Sequence, residues 1–253
     1  MDSSKSIKSV LKAANILKSL SQGVSRVTDL SKQLHLNKST AYRLLRSLEI
    51  AGLVSQDPIN HQYYLAPLAI EIGNRPILNH QKLIMCASQE MRHLRDLTGE
   101  TVGLFIRMGL ERICIEEIQS LQEIKHTIGK GFVTAIYAGS SGKLLLSELG
   151  KDELQLLLKN IALIPIGPNT TTDKKLLLKE LKQIKKQGYA KSFGERVPGS
   201  ASISVPVADY ICPVALSVLG PDYRLSQDVM MGFLKQIKDC SSRISKKVNT
   251  TNL

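Results

Sequence analysis

The sequence lacks the features that mark membrane-spanning and secreted proteins. Among its 253 residues, no uninterrupted apolar run approaches the roughly 18 residues that a transmembrane helix requires. The opening residues, MDSSKSIKSV, contain no apolar segment of the kind that a secretory signal needs. We therefore expect a cytoplasmic protein with no membrane partner.

Cysteine is scarce as well, and its spacing argues against a metal site. The four cysteines are far apart, with no C-x-x-C pair, and the five histidines are equally dispersed. No structural zinc site, other metal or cofactor is therefore expected. In a reducing cytosol, Cys86, Cys114, Cys212 and Cys240 are expected to be buried free thiols.

Acidic residues are few compared with basic ones. The chain has 22 Asp and Glu against 34 Lys and Arg, which gives a formal net charge of +12. Such an excess favours nucleic acid or an anionic membrane surface as a partner, although a lysine-rich proteome produces the same bias. A local motif must decide between these explanations. The length and the hydrophobic fraction of 43% fit one large or two ordinary globular domains.

The stretch NKSTAYRLLRSLEI, residues 37–50, separates into two helix faces. Ala41, Leu44, Leu45 and Leu48 recur at the spacing of one helix face and form an apolar stripe that must be buried. The opposite face is polar and basic, with no acid before Glu49. Its residues are Lys38, Ser39, Thr40, Tyr42, Arg43 and Arg46.

The segments before this helix complete a helix-turn-helix. Residues 7–20 fit an amphipathic helix whose inward face is formed by Val10, Ala13, Ala14 and Leu17. Thr28 can cap a second, short helix over residues 29–34. A tight turn then leads to the third helix, which Asn37 or Ser39 can cap.

The residues after the third helix predict a wing. Gly52 stands where a helix ends, and Val54 and residues 63–65 read as two strands joined by a turn at 57–60. The first 65 residues therefore predict a winged helix-turn-helix, in which the last helix of the trio lies in the major groove of DNA.

The exposed face of the third helix has the chemistry of a DNA contact. Arg43 lies at its centre, where it can pair with a base edge, while Lys38 and Arg46 flank it and suit phosphates. Residues 1–52 hold nine Lys or Arg against three acids. An ordinary solvated helix face is the alternative interpretation, but the basic bias and the hairpin that follows favour double-stranded DNA.

The remainder of the chain predicts a different architecture. A connecting helix over residues 66–73 leads to a domain boundary at Asn74-Arg75-Pro76, after which helices and strands alternate irregularly. This layout is typical of an α+β domain with a mostly antiparallel sheet flanked by helices. The predicted helices cover residues 78–97, 141–149, 151–160, 173–187 and 226–247, and the predicted strands 101–108, 111–118, 122–128, 189–193, 201–208 and 213–220.

The segment AGSSGKLLL, residues 138–146, superficially matches a phosphate-binding loop. That motif requires a glycine at position 137 and a hydroxyl at position 144, where this chain has Tyr137 and Leu144. Nucleotide hydrolysis is therefore not expected. Either Ser140 or Ser141 caps a helix, or the free N–H groups of this helix start bind an anionic ligand group.

Several stretches resemble one family along nearly the whole chain, about residues 6–245. The runs SVLKAANILKSL, VTDLSKQLHLNKSTAYRLLRSLEIAGLVSQDP and YYLAPLAIEIG resemble the winged helix of the IclR family of bacterial transcriptional regulators. The most specific part is KST-x-x-RLL-x-SLE. TGETVGLFI, AGSSGKLLL, GYAKSFGERVPGSASISVPVAD and ALSVLGP resemble the family's effector-binding domain.

This resemblance implies a ligand-responsive repressor or activator rather than an enzyme. It would be a homodimer or homotetramer on a pseudo-palindromic DNA operator, with a linker helix at residues 66–76 and a GAF-like effector-binding and oligomerisation domain at 77–253. Family wings commonly carry a basic residue near the tip. The tip here, residues 57–61, has none, so we expect a weaker contribution of the wing to phosphate contacts.

The resemblance also implies a pocket for a small organic acid. Ser192 and Ser202 stand at its polar positions, and one of two expected serines is kept as Ser217 while the other is replaced by Leu219. These changes favour a larger, more apolar monocarboxylate over a very small, highly charged acid. Each serine taken alone is better explained as a satisfied core hydroxyl than as a ligand contact. The predicted effector-binding residues are Ser140, Ser141, Ser192, Ser202, Ser217 and Phe105, with Leu104 as additional apolar wall.

Glu195, in the loop after YAKSF, is the one acid beside this pocket that invites a catalytic interpretation. No His or Cys stands in a nucleophile–base spacing with it, so an ion pair or hydrogen bond that closes the loop is favoured. Two alternatives to the regulator remain: an enzyme acting on a small carboxylic acid with an accessory DNA-binding domain, and an architectural DNA-binding protein without a ligand.

Overall fold

Two compact units make up the chain, and they separate between Pro76 and Ile77. The computed structural model describes residues 7–250, without the side chains of residues 74–76. Asp2 and Lys5, which enter the predicted charge excess, lie outside the described residues. The first unit is helical with a small hairpin, and the second holds a six-stranded sheet with helices. The predicted two-domain α+β fold is therefore confirmed.

The first unit is a winged helix-turn-helix, as predicted. Ala41, Leu45 and Leu48 of the apolar stripe are buried, and they pack in a small core with residues such as Ile16 and Leu30. The two strands of the wing pair antiparallel. The elements are α1 (Lys8–Ser21), α2 (Val27–Gln33), α3 (Lys38–Ile50), β1 (Val54–Gln56) and β2 (Tyr63–Leu65).

Three details of the first unit differ from the sequence prediction. The fully buried residues of α1 are Ile16, Ser19 and Leu20. Of the predicted inward face, Ala13 and Leu17 pack against the core, whereas Val10 is 60% exposed and Ala14 is also exposed. The second helix starts at Val27 after Arg26, so the predicted cap at Thr28 is wrong. Asn37 does precede α3, but its side chain makes no capping hydrogen bond.

A fourth helix, α4 (Pro67–Leu78), is longer than predicted. The expected end near residue 73 is wrong, because the backbone remains helical across residues 74–76. Gly73 and Asn74 are weak helix formers, and Pro76 disfavours helical geometry in the residue before it. These local preferences suggested a break, but they do not end the helix.

The second unit is built on one antiparallel sheet with the order β5-β4-β3-β8-β7-β6. Helices cover both faces, so the sheet lies between two apolar cores. The strands are β3 (Thr101–Met108), β4 (Glu111–Ile118), β5 (Val133–Ala135), β6 (Ala190–Phe193), β7 (Ser200–Val207) and β8 (Val214–Pro221). The helices are α5 (Gln81–Thr98), α6 (Ser140–Ser147), α7 (Lys151–Asn160), α8 (Lys174–Gln187) and α9 (Gln227–Thr250).

The two faces of the sheet have different neighbours. One core joins the sheet to α5 and α9, and the other joins it to α6, α7 and α8. Because side chains alternate along a strand, Leu104 belongs to the first core and Phe105 to the second. The prediction that Leu104 and Phe105 line the same pocket is therefore wrong for Leu104.

One predicted strand is absent: residues 122–128 form a loop, and the edge strand is β5 instead. At the end of this loop, the Glu117 carboxylate accepts the N–H groups of Ile128 and Gly129, at 2.8 and 3.1 Å. These donors are thereby withdrawn from strand pairing. Gly129 and Gly131 then adopt positive φ angles of 93° and 83°, and the turn delivers residues 133–135 to β4.

All four cysteines are thiols outside any disulfide, as predicted, but only Cys114 and Cys240 are buried, whereas Cys86 and Cys212 are partly exposed. Burial raises the pKa of the Cys114 and Cys240 thiols to about 12. Both therefore remain protonated and unreactive at neutral pH. Within residues 7–250, no helix has both the length and the apolar character needed to cross a membrane.

Candidate nucleic-acid interface and buried cavity

The polar face of α3 is open to solvent. Lys38, Ser39, Tyr42, Arg43 and Arg46 are all exposed, and Thr40 is half-buried. The buried stripe of the same helix fixes this face outward, because the two sets of residues lie on opposite sides of one helix. The surface offers guanidinium, ammonium and hydroxyl donors together, which suits phosphates and base edges.

Arg46 is less free than its neighbours on this face. Its Nη1 lies 2.6 Å from Glu49 Oε2, and 58% of the arginine side chain is exposed. An exposed pair of this kind contributes little to stability. It nevertheless places the Glu49 carboxylate beside the basic surface. From the sequence, Glu49 marked only the end of the stretch without acids.

A groove between α1 and α3 extends the basic surface. Its lining combines Ser9 and Lys12 of α1 with Thr40, Arg43 and Ser47 of α3. Lys12 belongs to the basic excess of residues 1–52, but it was not predicted to contact DNA. The available signal was the spacing of Ser9 and Lys12, which places both on one face of α1.

The turn at the wing tip is stabilised by an acidic residue, Asp57. Asp57 Oδ1 accepts the N–H groups of Ile59 and Asn60, at 2.8 and 3.2 Å. Residues 54–65 contain no Lys or Arg. The wing therefore presents no cation of its own to a phosphate.

In the second unit, all six predicted effector residues line one cavity. It lies between the start of α6 and the sheet, and its volume is about 30 Å³, room for only a very small molecule. Leu219 and Phe105 supply apolar wall. The predicted residues in this lining are Phe105, Ser140, Ser141, Ser192, Ser202 and Ser217.

Four serine hydroxyls form a chain beneath the cavity. Ser140 Oγ lies 2.7 Å from both Ser202 Oγ and Ser204 Oγ, and Ser204 Oγ lies 2.7 Å from Ser217 Oγ. Four hydroxyls have four protons, but three bonds use only three of them. One of the four hydroxyls therefore retains an unused proton. Both ends, Ser202 and Ser217, line the cavity.

The start of α6 differs from the predicted anion site. Gly139 is the N-cap, and neither Ser140 nor Ser141 caps the helix with its side chain, so that alternative is wrong. The Gly139 N–H is already occupied, because it donates to Glu195 Oε2 at 2.9 Å. The Glu195 carboxylate thus occupies one of the N–H groups that were predicted to bind a ligand carboxylate.

Glu195 has the structural role that was favoured for it. Its Oε1 lies 2.8 Å from Lys143 Nζ, and both side chains are buried. Lys143 also pairs with Glu180 at 2.6 Å. The hypothesis of a loop-closing ion pair and hydrogen bond is confirmed, and Glu195 is occupied by these contacts rather than poised as a base.

The most unusual residue of the cavity, Arg112 on β4, was not predicted from the sequence. It is 2% exposed, and its Nη1 donates to the carbonyls of Ala135, at 3.1 Å, and Ala138. Its Nε is buried without a hydrogen-bond partner. Burial, together with the nearby charge of Arg196, lowers the pKa of Arg112 to about 9. The sequence gives little sign of it, because Arg112 is one of several charged residues in ERICIEEI.

Two further basic groups line the same cavity, His126 and Arg196. Burial lowers the pKa of His126, and the charge of Arg196 lowers it further, so His126 is neutral at pH 7. Burial also lowers the pKa of Arg196. In the part of the chain that the structure describes, no cluster of His, Cys, Asp and Glu has the composition of a metal site.

The glycines of the apparent phosphate loop make room for Arg112. A Cβ atom on Gly142 would collide with the Ile136 carbonyl and with Arg112 Nη1. A Cβ on Gly139 would come within 3.0 Å of Arg112 Nη2, and Gly139 has a φ of +89°. The spacing that imitates a nucleotide motif is therefore explained by packing against a buried guanidinium.

Comparison with known proteins matches both units to the same family. Residues 76–246 match the family model described as bacterial transcriptional regulator IclR C-terminal, and residues 9–58 match the IclR helix-turn-helix domain. The chain is 30% identical to the HTH-type transcriptional regulator KdgR of Escherichia coli over 248 residues, covering 96% of this chain and 93% of KdgR. It is 32% identical to the E. coli HTH-type transcriptional repressor AllR over 227 residues, covering 89% and 83%.

A solved structure shares the fold over the whole chain. It is an IclR homologue from Microbacterium hydrocarbonoxydans complexed with 4-hydroxybenzoate, with a TM-score of 0.77, 19% identity, and coverage of 96% of this chain and 100% of the homologue. KdgR and AllR are both named as regulators of transcription, which decides between the regulator and the enzyme in favour of the regulator.

Proposed function

Because the chain belongs to the IclR family of bacterial transcriptional regulators, we propose that it binds a pseudo-palindromic operator as a homodimer or homotetramer. Its affinity for this DNA changes when a small organic acid occupies the cavity beneath α6. The observation that carries the proposal is the pairing of two surfaces in one chain. One is an exposed basic helix face in the first unit, and the other is a hydroxyl-lined cavity in the second.

The division of labour follows the two units. Residues 1–65 bind DNA, residues 66–76 link, and residues 77–253 bind the effector and oligomerise. Two recognition helices related by a two-fold axis require half-sites about one or two helical turns apart. An effector that binds one arrangement of the oligomer more tightly than another shifts the population, and operator affinity follows by linkage. The protein acts in the cytoplasm, where DNA and metabolites are both available.

The composition of the cavity favours a monocarboxylate with an apolar body. Leu219 and Phe105 offer no hydrogen bonds, so a polar group placed against them would lose about 1–3 kcal/mol. The serine chain can donate to, or accept from, one further polar group of the ligand. The 4-hydroxybenzoate bound by the homologue is itself a monocarboxylate with an apolar ring and one hydroxyl.

The experiment begins with the DNA sequences that the full-length protein selects from a random library. We expect two inverted half-sites at a fixed spacing, and a gel shift with the selected site but not with a scrambled one. The genes beside matching genomic sites then define a panel of carboxylic acids. Each acid is scored for release or tightening of the operator.

Variants with matched changes separate the two halves of the proposal. Ser217→Ala removes one end of the hydroxyl chain, and Ser200→Ala removes a hydroxyl of the same lining that bonds to Val197 O instead. We expect Ser217→Ala to weaken the acid response at least threefold and Ser200→Ala to leave it nearly unchanged. Selection of direct rather than inverted half-sites would contradict the two-fold arrangement, and equal effects of the two serine variants would contradict the pocket.

A further inference from the structure

We propose that Arg112 is the anion receptor of the cavity, and that the effector's carboxylate binds the edge of the guanidinium formed by Nε and Nη2. This inference rests on the proposed function, because it presupposes that the cavity beneath α6 is the effector site. In this arrangement the residue that selects for an acid is Arg112, which is buried on β4. The serines at the start of α6 no longer have the anion-binding role.

The hydrogen bonds of Arg112 leave one edge of the guanidinium unused. Nη1 is held by the carbonyls of Ala135 and Ala138. Nε has no partner, and within the described residues Nη2 donates no hydrogen bond. The Nε–Nη2 edge presents two parallel N–H groups, and this geometry matches the two oxygens of a carboxylate.

The charge of Arg112 is also uncompensated at close range. Among residues 7–250, it forms no ion pair with an acid, whereas burial of an unpaired charge is costly. Glu195 contributes some attraction, but its two oxygens are committed to Lys143 and to the Gly139 N–H. Arg196 lines the same cavity and adds a like charge. A bound anion would pair with the buried charge of Arg112 and would also offset its repulsion with Arg196.

The surroundings hold the guanidinium in place rather than letting it escape to solvent. Gly139 and Gly142 provide the space that it occupies, and the centre of its charge lies 5.8 Å from the ring of Phe105. A purely structural arginine is usually tied to a carboxylate or is able to reach water. Arg112 has neither a paired acid nor appreciable exposure.

Ligand size decides the choice of probe. The present cavity of about 30 Å³ is too small for a complete organic acid, so a larger ligand must open it. Formate carries the carboxylate with the smallest possible body and therefore tests Arg112 with little demand on that opening. Formamide has nearly the same size without the charge, and chloride controls for ionic strength.

The experiment compares thermal unfolding of the full-length protein and its variants in formate, formamide and chloride. The formate concentration is about 50 mM, and chloride is used at the same concentration. We expect the melting temperature of the wild type to be about 2–4 °C higher in formate than in chloride. Formamide should give no rise. Arg112→Met keeps most of the side-chain volume, and it should abolish the response to formate.

Arg107→Met is the matched control. Arg107 lies directly opposite Arg112 on β3, but it pairs with Glu153 and does not line the cavity. It should keep the full response to formate. Arg112→Met also removes the hydrogen bonds to the carbonyls of Ala135 and Ala138, so its melting temperature without ligand serves only as the baseline and the formate shift alone decides.

A second variant keeps the test decisive if Arg112→Met does not fold. Arg112→Lys retains the charge without the two-pronged edge, and we expect it to lose more than half of the formate shift. A formate shift that survives in Arg112→Met, or is undiminished in Arg112→Lys, overturns the proposal, as does a wild type that responds equally to formate and chloride. Operator binding by the ligand-free wild type is measured separately. If the wild type does not bind the operator, the proposed function is overturned, whatever the formate result.

Discussion

Lys143 Nζ of α6 lies 2.8 Å from Glu195 Oε1, with 4% and 8% of the two side chains exposed. This ion pair joins the first turns of α6 to the loop after β6, beside the cavity. The same carboxylate accepts the Gly139 N–H, so one acid serves both a lysine and a helix N-terminus. The contact fixes the helix under which the serine chain and Arg112 lie.

Removing one member of this pair should destabilise the second unit strongly. Lys143→Met leaves the Glu195 charge buried with only the Gly139 N–H, and we expect a loss of about 3–5 kcal/mol in the free energy of unfolding. Urea denaturation followed by circular dichroism measures it. Lys179→Met, on the exposed side of α8, is the control and should change stability by less than about 0.5 kcal/mol. A double variant, Lys143→Met with Glu195→Gln, should recover part of the loss.

Arg43 is expected to read a base. It is central on the exposed face of α3, so Arg43→Ala should cost about 1–3 kcal/mol of operator binding and flatten the preference at one base pair. Fluorescence anisotropy on the selected site and its single-base variants measures both effects. Arg92→Ala, an exposed arginine of α5, controls for the loss of one positive charge. Unchanged operator binding in the Arg43 variant would show that α3 is not the recognition helix.

Lys38, Arg46 and Lys12 are expected to contact phosphates instead. Replacing any of them by alanine should weaken specific and non-specific DNA binding alike and reduce the slope of log K against log salt by about one. Arg46→Ala should have the largest effect, because it also leaves Glu49 unpaired beside the DNA. A sequence-selective loss with an unchanged slope would contradict the assignment. The groove lining suggests that Ser9→Ala, with no charge lost, leaves the slope unaltered.

The residues of α3 show why much of the first unit could be predicted from sequence. Helical spacing alone separates the apolar stripe from the basic face, and that separation survives folding because the stripe packs against apolar residues of α1, α2 and the wing. The same reasoning was only partly right for α1: Ala13 and Leu17 pack against the core, whereas Val10, near the N-terminal end, is exposed.

Arg112 and residues 122–128 show what sequence could not provide. The six cavity residues were assigned through resemblance to a family, and a resemblance supplies only the positions that relatives use. Arg112 becomes unusual only when its neighbours are known, because an unpaired Nε is a property of the three-dimensional packing. The missing strand depends on Glu117, a side chain that captures backbone N–H groups eleven and twelve residues away.

Glu90 should make the stability of the second unit depend on pH. It lies on α5 and pairs with Arg243 and Lys247 of α9, at 2.6 and 2.7 Å. Burial would raise the pKa of Glu90, but the hydrogen bonds from Lys247 and Arg243 outweigh it and hold the pKa below its ordinary value. A carboxyl with a lowered folded-state pKa stabilises the fold above the unfolded-state pKa, and that contribution is lost as pH falls through the folded-state value.

Glu90→Gln should therefore cost stability at pH 7 but not in acid. We expect a loss of about 1–2 kcal/mol at neutral pH, because two charge-assisted hydrogen bonds between α5 and α9 are weakened while Arg243 and Lys247 remain partly solvated. Below the folded-state pKa, the wild-type carboxyl is itself protonated, so the difference between the two proteins should nearly vanish. Urea denaturation at a series of pH values from 7 down to about 3 measures this convergence. Asp96→Asn, an exposed acid of the same helix, should show a small difference at every pH. If the Glu90 variant differs from the wild type by the same amount throughout the series, the link between α5 and α9 depends on packing rather than on the charge of Glu90.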